Sequence, residues 1–518
     1  MSKRYGIHPT VVALFVAIGL LALGGSAAAA EKPTVGGVLR VATSASPPTL
    51  DPYPTTHIAV REVGMHIFEN LVTFNAKFQI VPQLAEKWEV SLDGKVYTFT
   101  LQKGVKFHNG KEMTTEDVKA SVEHFKEVGA RRSELNDLDK IEIVNPYVVR
   151  MTLSKVNAAF LAALANPLGQ LAILPKEAVE GRAVNKVDII GTGPFKFVEW
   201  IPDRWVKLVR FKDHKPWGKP SQGGYAGARM AYLDEIRFIP VPEPGARSAG
   251  LQTGEYDFAD FLPNPSIASL SKDKKVKIVP LAPYNYPTMY FNFAGKFKEL
   301  KLRQAVQAAL NLAEILQVAS DGNGRLDPGF FFKEQIWHNS AGKELYNQNN
   351  PTKAKDLLKE TGYNGEPIVM ITNTDYDYMY KAALVVLQQL KKAGMNIKLE
   401  VYDWPGALAV RKDLTKWDLF FSGHSTFYDP SGMNFYFLPN STFFAYDNPK
   451  MTAILERANA SLRFEDRYKA YEDMQRLIYE DAAMIKLYDQ NVWEGYSIKV
   501  KGYTPWVMIR FWDVWMEK

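Results

Sequence analysis

Cysteine is absent from all 518 residues. That excludes thiolate chemistry, disulfide staples and a lipid carried on an N-terminal cysteine. Excess charge of one sign is also missing, with 63 Lys and Arg against 57 Asp and Glu for a net +6. A nucleic-acid binder concentrates basic residues, so nucleic acid is not expected as a partner. No apolar run reaches the roughly 20 residues needed to cross a bilayer, so direct membrane insertion of the processed chain is not expected. Neither a 20–50-residue repeat nor a low-complexity linker divides the chain.

The longest apolar stretch, residues 11–23, has a meaning of its own. Lys3 and Arg4 precede it and the small residues Ala28-Ala29-Ala30 follow, the pattern of a secretory signal with an A-x-A cleavage site after residue 30. Removing residues 1–30 takes two basic and no acidic residues, which lowers the net charge from +6 to +4. An exported chain without a lipid diffuses freely, and retention then requires a second membrane. The expected location is therefore the periplasm of a Gram-negative cell, with extracellular release the lesser option.

Hydrophobic residues make up 46% of the chain and aromatics 13%, enough apolar surface for two or three cores in a protein of this length. Runs rich in Val, Ile, Phe and Tyr predict strands at 38–42, 96–101, 147–153, 195–200, 206–211, 236–241, 290–293, 368–372, 397–402 and 418–422. Between them, 300–318 reads as one amphipathic helix, and 378–393 as another that stops at Gly394 and leads into a strand. Thr114 and Asp117 form a capping box ahead of Val118, Val122 and Phe125. The class is α/β.

Chemistry-bearing motifs are few. There is no H-E-x-x-H, P-loop or dinucleotide fingerprint. The segment 321–327 imitates a calcium loop, but Arg325 and Leu326 stand where a ligand and a glycine are needed. Eight histidines are scattered without ligand spacing, so no metal and no cofactor is expected. Gly423-His424-Ser425-Thr426-Phe427 approaches a nucleophile elbow but ends in Phe, which leaves a secreted hydrolase using Ser425 as a weak alternative.

Several motifs occur in a fixed order along the chain: Leu50-Asp51-Pro52, Ile67-Phe68-Glu69-Asn70-Leu71-Val72, Pro82-Gln83-Leu84-Ala85-Glu86-Lys87-Trp88 and the long segment 97–121. Gly191-Thr192-Gly193-Pro194-Phe195-Lys196, Leu251-Gln252-Thr253-Gly254-Glu255-Tyr256-Asp257, Tyr290-Phe291-Asn292-Phe293, Asp429-Pro430 and Tyr446-Asp447-Asn448-Pro449 continue the series. With these, the chain resembles the family 5 extracellular solute-binding proteins, which include the dipeptide, oligopeptide and nickel-binding members of bacterial ABC importers. The resemblance implies a two-lobed periplasmic binding protein of the class II, cluster C type, with an extra N-terminal subdomain and a hinge crossed twice. Residues 31–71, 187–284 and 490–518 would form the core of lobe I, 72–186 its accessory subdomain and 285–489 lobe II, with 280–287 at one hinge crossing. A monomer with no catalytic role, serving an inner-membrane ABC permease, is the implied assembly.

A clamp needs ligand contacts on both lobes, on loops that follow strands. The candidates are Ser46 after the first strand, Tyr376 after 368–372, Trp404, and the loop carrying Gly423, His424, Tyr428 and Asp429. Relatives that bind dipeptides use an acid near the position of Phe427 for the ligand ammonium and an arginine in the region of 373–376 for its carboxylate. Neither is present here, and Arg325 is the candidate substitute for the arginine. The ligand is expected to be a peptide or peptide-like solute, and a sugar, a metal chelate or an aromatic compound stays open.

Overall fold

The computed structural model describes residues 32–218, 223–437 and 443–517. The expected signal at 1–30 lies outside them. Among the described residues no helix is long and apolar enough to cross a membrane.

One 12-stranded sheet runs through the molecule. From one edge its order is Ile397–Tyr402, Ile368–Asn373, Leu419–Ser425, Val276–Phe291, Asp489–Ser497, Phe258–Leu262, Val38–Thr43, Glu235–Pro240, Trp205–Arg210 and Phe195–Ile201. Gly324–Arg325 and Met484–Lys486 attach to the two central strands. Those central strands tie the halves together. Val276–Leu281 pairs antiparallel with Val492–Ser497 in the first half. After a register break between Leu281 and Asn285, the same strand pairs with Leu419–Ser425 in the second half.

The sequence reading placed a strand only at 290–293 and took 280–287 as a hinge crossing. The strand instead spans Val276–Phe291. Prolines have no N–H to give a ladder and are usually confined to edges and bulges. Here Pro283 falls inside the register break, while Pro280 and Pro287 sit opposite Trp493 and Gly423. The expected single helix at 300–318 is likewise two, Leu300–Ala309 and Leu312–Ser320. Leu310 is extended, and the Asn311 side chain accepts from the Glu314 N–H to start the second helix.

A separate four-stranded antiparallel sheet, ordered Ala85–Val90, Val96–Leu101, Val148–Leu153 and Leu138–Asn145, is covered by the helix Thr115–Val128. The predicted capping box opens that helix, and Val118, Val122 and Phe125 are buried beneath it. Apolar side chains gather into one large core on the first half and two on either side of the second-half sheet. Tyr428 is the exception to this division: it follows a second-half strand but packs into the first-half core.

Candidate functional site

The halves meet where a loop that follows a second-half strand packs against the first half near the first helix, Ile58–Ile67. Among the described residues, direct hydrogen bonds away from the hinge strands join the halves at three places. Tyr225 and Tyr428 share a hydroxyl–hydroxyl hydrogen bond of 2.7 Å. The Ala158 N–H donates to the Asn459 carbonyl at 3.0 Å, and the Asn264 amide donates to the Ser320 carbonyl at 3.0 Å. Tyr428 is also ringed by Phe74, Phe78 and Trp506, with centroids 5.3, 5.8 and 6.0 Å away. These aromatic contacts make the loop after Leu419–Ser425 a plug between the halves.

The second-half wall is aromatic and neutral. Tyr376 meets Trp404 edge to face at 5.3 Å, and Tyr378 lies 6.0 Å from Tyr376. The helix Asp377–Lys392 and the N-terminus of Trp404–Arg411 hold these rings, and the Asp375 carboxylate accepts the Trp404 N–H at 2.9 Å. Gly423 is close enough that a Cβ there would lie 2.9 Å from the Tyr378 hydroxyl oxygen, so glycine leaves that hydroxyl room beside the strand. Asn285, at the register break, offers its amide to Tyr378 at 3.5 Å and keeps a buried Oδ1 with no partner.

Charge lies on the first-half wall. Glu62, Asp260 and Glu494 are 2%, 1% and 0% exposed, on an all-round buried helix and on two neighbouring strands. Burial pushes the Asp260 carboxyl up to about 7 and the Glu494 carboxyl up to about 8. Burial also raises the Glu62 carboxyl well above the usual range, and nearby Asp260 adds to the effect. A bulge accounts for Asp260: pairing breaks between Ala259↔Gly495 and Leu262↔Trp493, and Phe261 takes φ 42°. Bulges of this kind re-aim side chains beside functional sites.

The sequence-predicted residues divide three ways. Tyr376, Trp404 and Gly423 come together on the second-half wall. Ser46 is half-buried on the first half, where its hydroxyl accepts the Asp203 N–H at 3.3 Å. The remaining four have other partners, which corrects their expected availability to a solute. The Asp429 carboxylate accepts from Arg467 at 2.8 Å, is buried, and caps the short helix Pro430–Met433. Arg325 forks onto Glu334 at 2.6 and 2.7 Å and reaches Asp489 at 2.7 Å. His424 faces away from the crevice because strand side chains alternate. Its Nε2 meets the Tyr290 hydroxyl among the rings of Tyr286, Phe427 and Tyr436, and burial lowers its pKa to about 3. Tyr428 is taken up by the plug. The imidazole next to Ser425, that of His424, is engaged with Tyr290.

Sequence reasoning missed Arg61, Glu62, Asp260, Glu494 and Arg510. Their signal was present as isolated charges inside apolar runs, in Val60-Arg61-Glu62-Val63, Phe258-Ala259-Asp260-Phe261 and Trp493-Glu494-Gly495. Among the described residues, no group of three or more acids and histidines is arranged to hold a metal ion.

The family model for bacterial extracellular solute-binding proteins, family 5, matches residues 79–445. The chain belongs to that family. It is similar to the glutathione-binding protein GsiB of Pectobacterium atrosepticum, 27% identical over 88% of this chain and 89% of the relative. Among solved structures it is similar to the periplasmic binding protein DppA of Helicobacter pylori in complex with the peptide STSA. That match has a TM-score of 0.76, 26% identity, and coverage of 94% of this chain and 99% of the other. The binding protein AgaA from A. tumefaciens R10, in complex with agropinic acid, matches with a TM-score of 0.75, 25% identity, and coverage of 93% and 99%. This family 5 protein is thus a substrate-binding protein of the ABC-importer type, with the two-lobed fold of its relatives.

Proposed function

We propose that this family 5 protein captures a peptide or peptide-like solute in the crevice between its lobes and delivers it to an inner-membrane ABC permease. It does so as a monomer in the Gram-negative periplasm, after cleavage near residue 30, and carries out no catalysis. The observation that carries this reading is the junction of the lobes, with an aromatic cluster on one lobe and buried, unpartnered polar atoms on the other. Buried polar groups without partners are costly unless something else satisfies them, and a bound solute supplies that. The relatives' peptide and glutathione ligands support the choice of class. The lobes would turn about the register break between Leu281 and Asn285 and the adjoining strand near Gln490, so 285–489 moves against the rest. Closure follows if a solute binds the closed form better than the open one.

A non-peptide solute is the second reading, favoured by AgaA with agropinic acid. Thermal-shift screening of the mature chain separates the two, because a solute selective for the folded protein raises its melting temperature. Saturable shifts with di- to pentapeptides or glutathione are expected. Shifts confined to sugars or metal chelates would replace the peptide assignment.

A further inference from the structure

Resting on that reading, we propose that Arg61, Glu62, Asp260, Glu494 and Arg510 form a lobe I subsite for the charged groups of a zwitterionic solute. The carboxyls take its ammonium and the guanidiniums take its carboxylate.

The argument begins with what is left unsatisfied. Among the described residues, Arg61 Nε, Glu62 Oε2, Glu494 Oε1 and Arg510 Nη1 are buried without a hydrogen-bond partner, and Asp260 Oδ1 has only the Arg247 guanidinium, 3.5 Å away. They belong to one place. Glu62 lies in the field of Asp260, Arg61 and Glu494, and Glu494 in that of Asp260 and Arg510. Asp260 and Glu494 occupy neighbouring strands at the bulge. Tyr284, beside the hinge, lies in the field of Arg61, Glu62 and Asp260. Tyr428 lies in the field of Arg61 and Arg510.

The same lobe contains a useful contrast. Glu69 and Arg229 are buried too, yet they bond each other at 2.8 Å and Glu69 also accepts from Thr192 at 2.8 Å, which leaves only Arg229 Nε without a partner. A purely structural buried pair is completed in this way, because an isolated buried charge is expensive. Arg247 is another finished group: its guanidinium donates to the carbonyls of Val241, Pro242, Asp260 and Phe261. Arg61 and Arg510 have no such set, and neither does Glu62. Arg61 and Arg510 are left to donate, and an ammonium beside Glu62 would favour its ionised form, so a solute of one sign would satisfy only half of the cluster. A zwitterion satisfies both, and charge-assisted bonds of this kind are the strong ones. Lobe I would thereby supply the charged anchors that the loop around Phe427 and the segment 373–376 lack.

Calorimetric titration of the mature chain tests the subsite. The probes are di- and tripeptides, γ-glutamyl peptides and opines, each compared with N-acetylated and amidated forms. Free zwitterions are expected to bind at least about tenfold tighter than either blocked form. Glu62→Gln should erase the penalty of N-acetylation and Arg61→Gln the penalty of amidation, each with the fold intact by circular dichroism. Blocked and free forms binding alike, or both variants binding like the parent, would overturn the subsite and leave the peptide reading standing. Binding of opines but of no peptide would overturn the peptide reading and leave the subsite standing.

Discussion

At the scale of single residues, the clearest case is an acid that sequence placed in the site and the fold placed beneath it. Asp429 and Arg467 are 8% and 7% exposed and bonded at 2.8 Å, with the guanidinium also stacked 4.9 Å from the Trp337 ring centroid. Removing one partner leaves the other charged and buried, a loss of about 3–5 kcal/mol. Asp429→Ala is therefore expected to lower unfolding stability by about that much in urea titrations, with solute affinity of the folded protein unchanged. A variant of normal stability with lost affinity would return Asp429 to the crevice. The aspartate before Pro430 reads the same in sequence whether it binds a solute or caps a turn, because the decisive partner is 38 residues away.

At the scale of elements, periodicity carried most of the fold. The strands Val96–Leu101 and Ile397–Tyr402 and the helix Thr115–Val128 could be read from alternation, β-branching and a capping box. The strand Val276–Phe291 could not, since three prolines imitate a loop and only the pairing on both sides makes it a strand. Of the proposed site, the aromatic cluster could be read from sequence, because Tyr376 and Trp404 follow strands. Its charged wall could not, because acids on a helix and on two strands far apart in sequence converge only in the sheet. That convergence has a pH signature. Asp260 and Glu494 hold protons in the folded state up to about 7 and about 8, whereas an unfolded carboxyl releases its proton near about 4. Their stabilising contribution is full below that unfolded value and is lost as pH rises through the folded values. The buried histidines His66, His108 and His424, lowered by burial to about 3, 4 and 3, act oppositely, but only below about pH 6.5. The ligand-free chain should therefore melt progressively lower in calorimetric scans from about pH 7 to about pH 9, and Glu494→Gln should flatten that slope. An unchanged slope in the variant would mean that Glu494 is ionised throughout.

At the scale of the whole molecule, the open-to-closed equilibrium depends on what joins the lobes without a solute. Two of the joining places are peripheral, Ala158 with Asn459 and Asn264 with Ser320, Asp321 and Asn323. The third is an aromatic ring driven into the opposite core. Tyr428 is 4% exposed and is enclosed by Phe74, Phe78, Tyr225 and Trp506. Truncating a buried aromatic to alanine costs about 3–5 kcal/mol within a folded core. If the ring leaves that core when the lobes part, most of that cost falls on the closed form rather than on folding. A shift of about 3 kcal/mol changes a two-state ratio more than a hundredfold. Tyr428→Ala should consequently enlarge the radius of gyration of the ligand-free protein in small-angle scattering and weaken every solute by a similar factor, whatever its charge. Tyr428→Phe, which loses only the hydroxyl bond to Tyr225, should sit between the two at a cost of about 1 kcal/mol. If the alanine variant scatters like the parent but melts far lower, Tyr428 belongs to the fold and not to the clamp. A loss of affinity confined to zwitterions would instead tie the ring to the lobe I charges beside it.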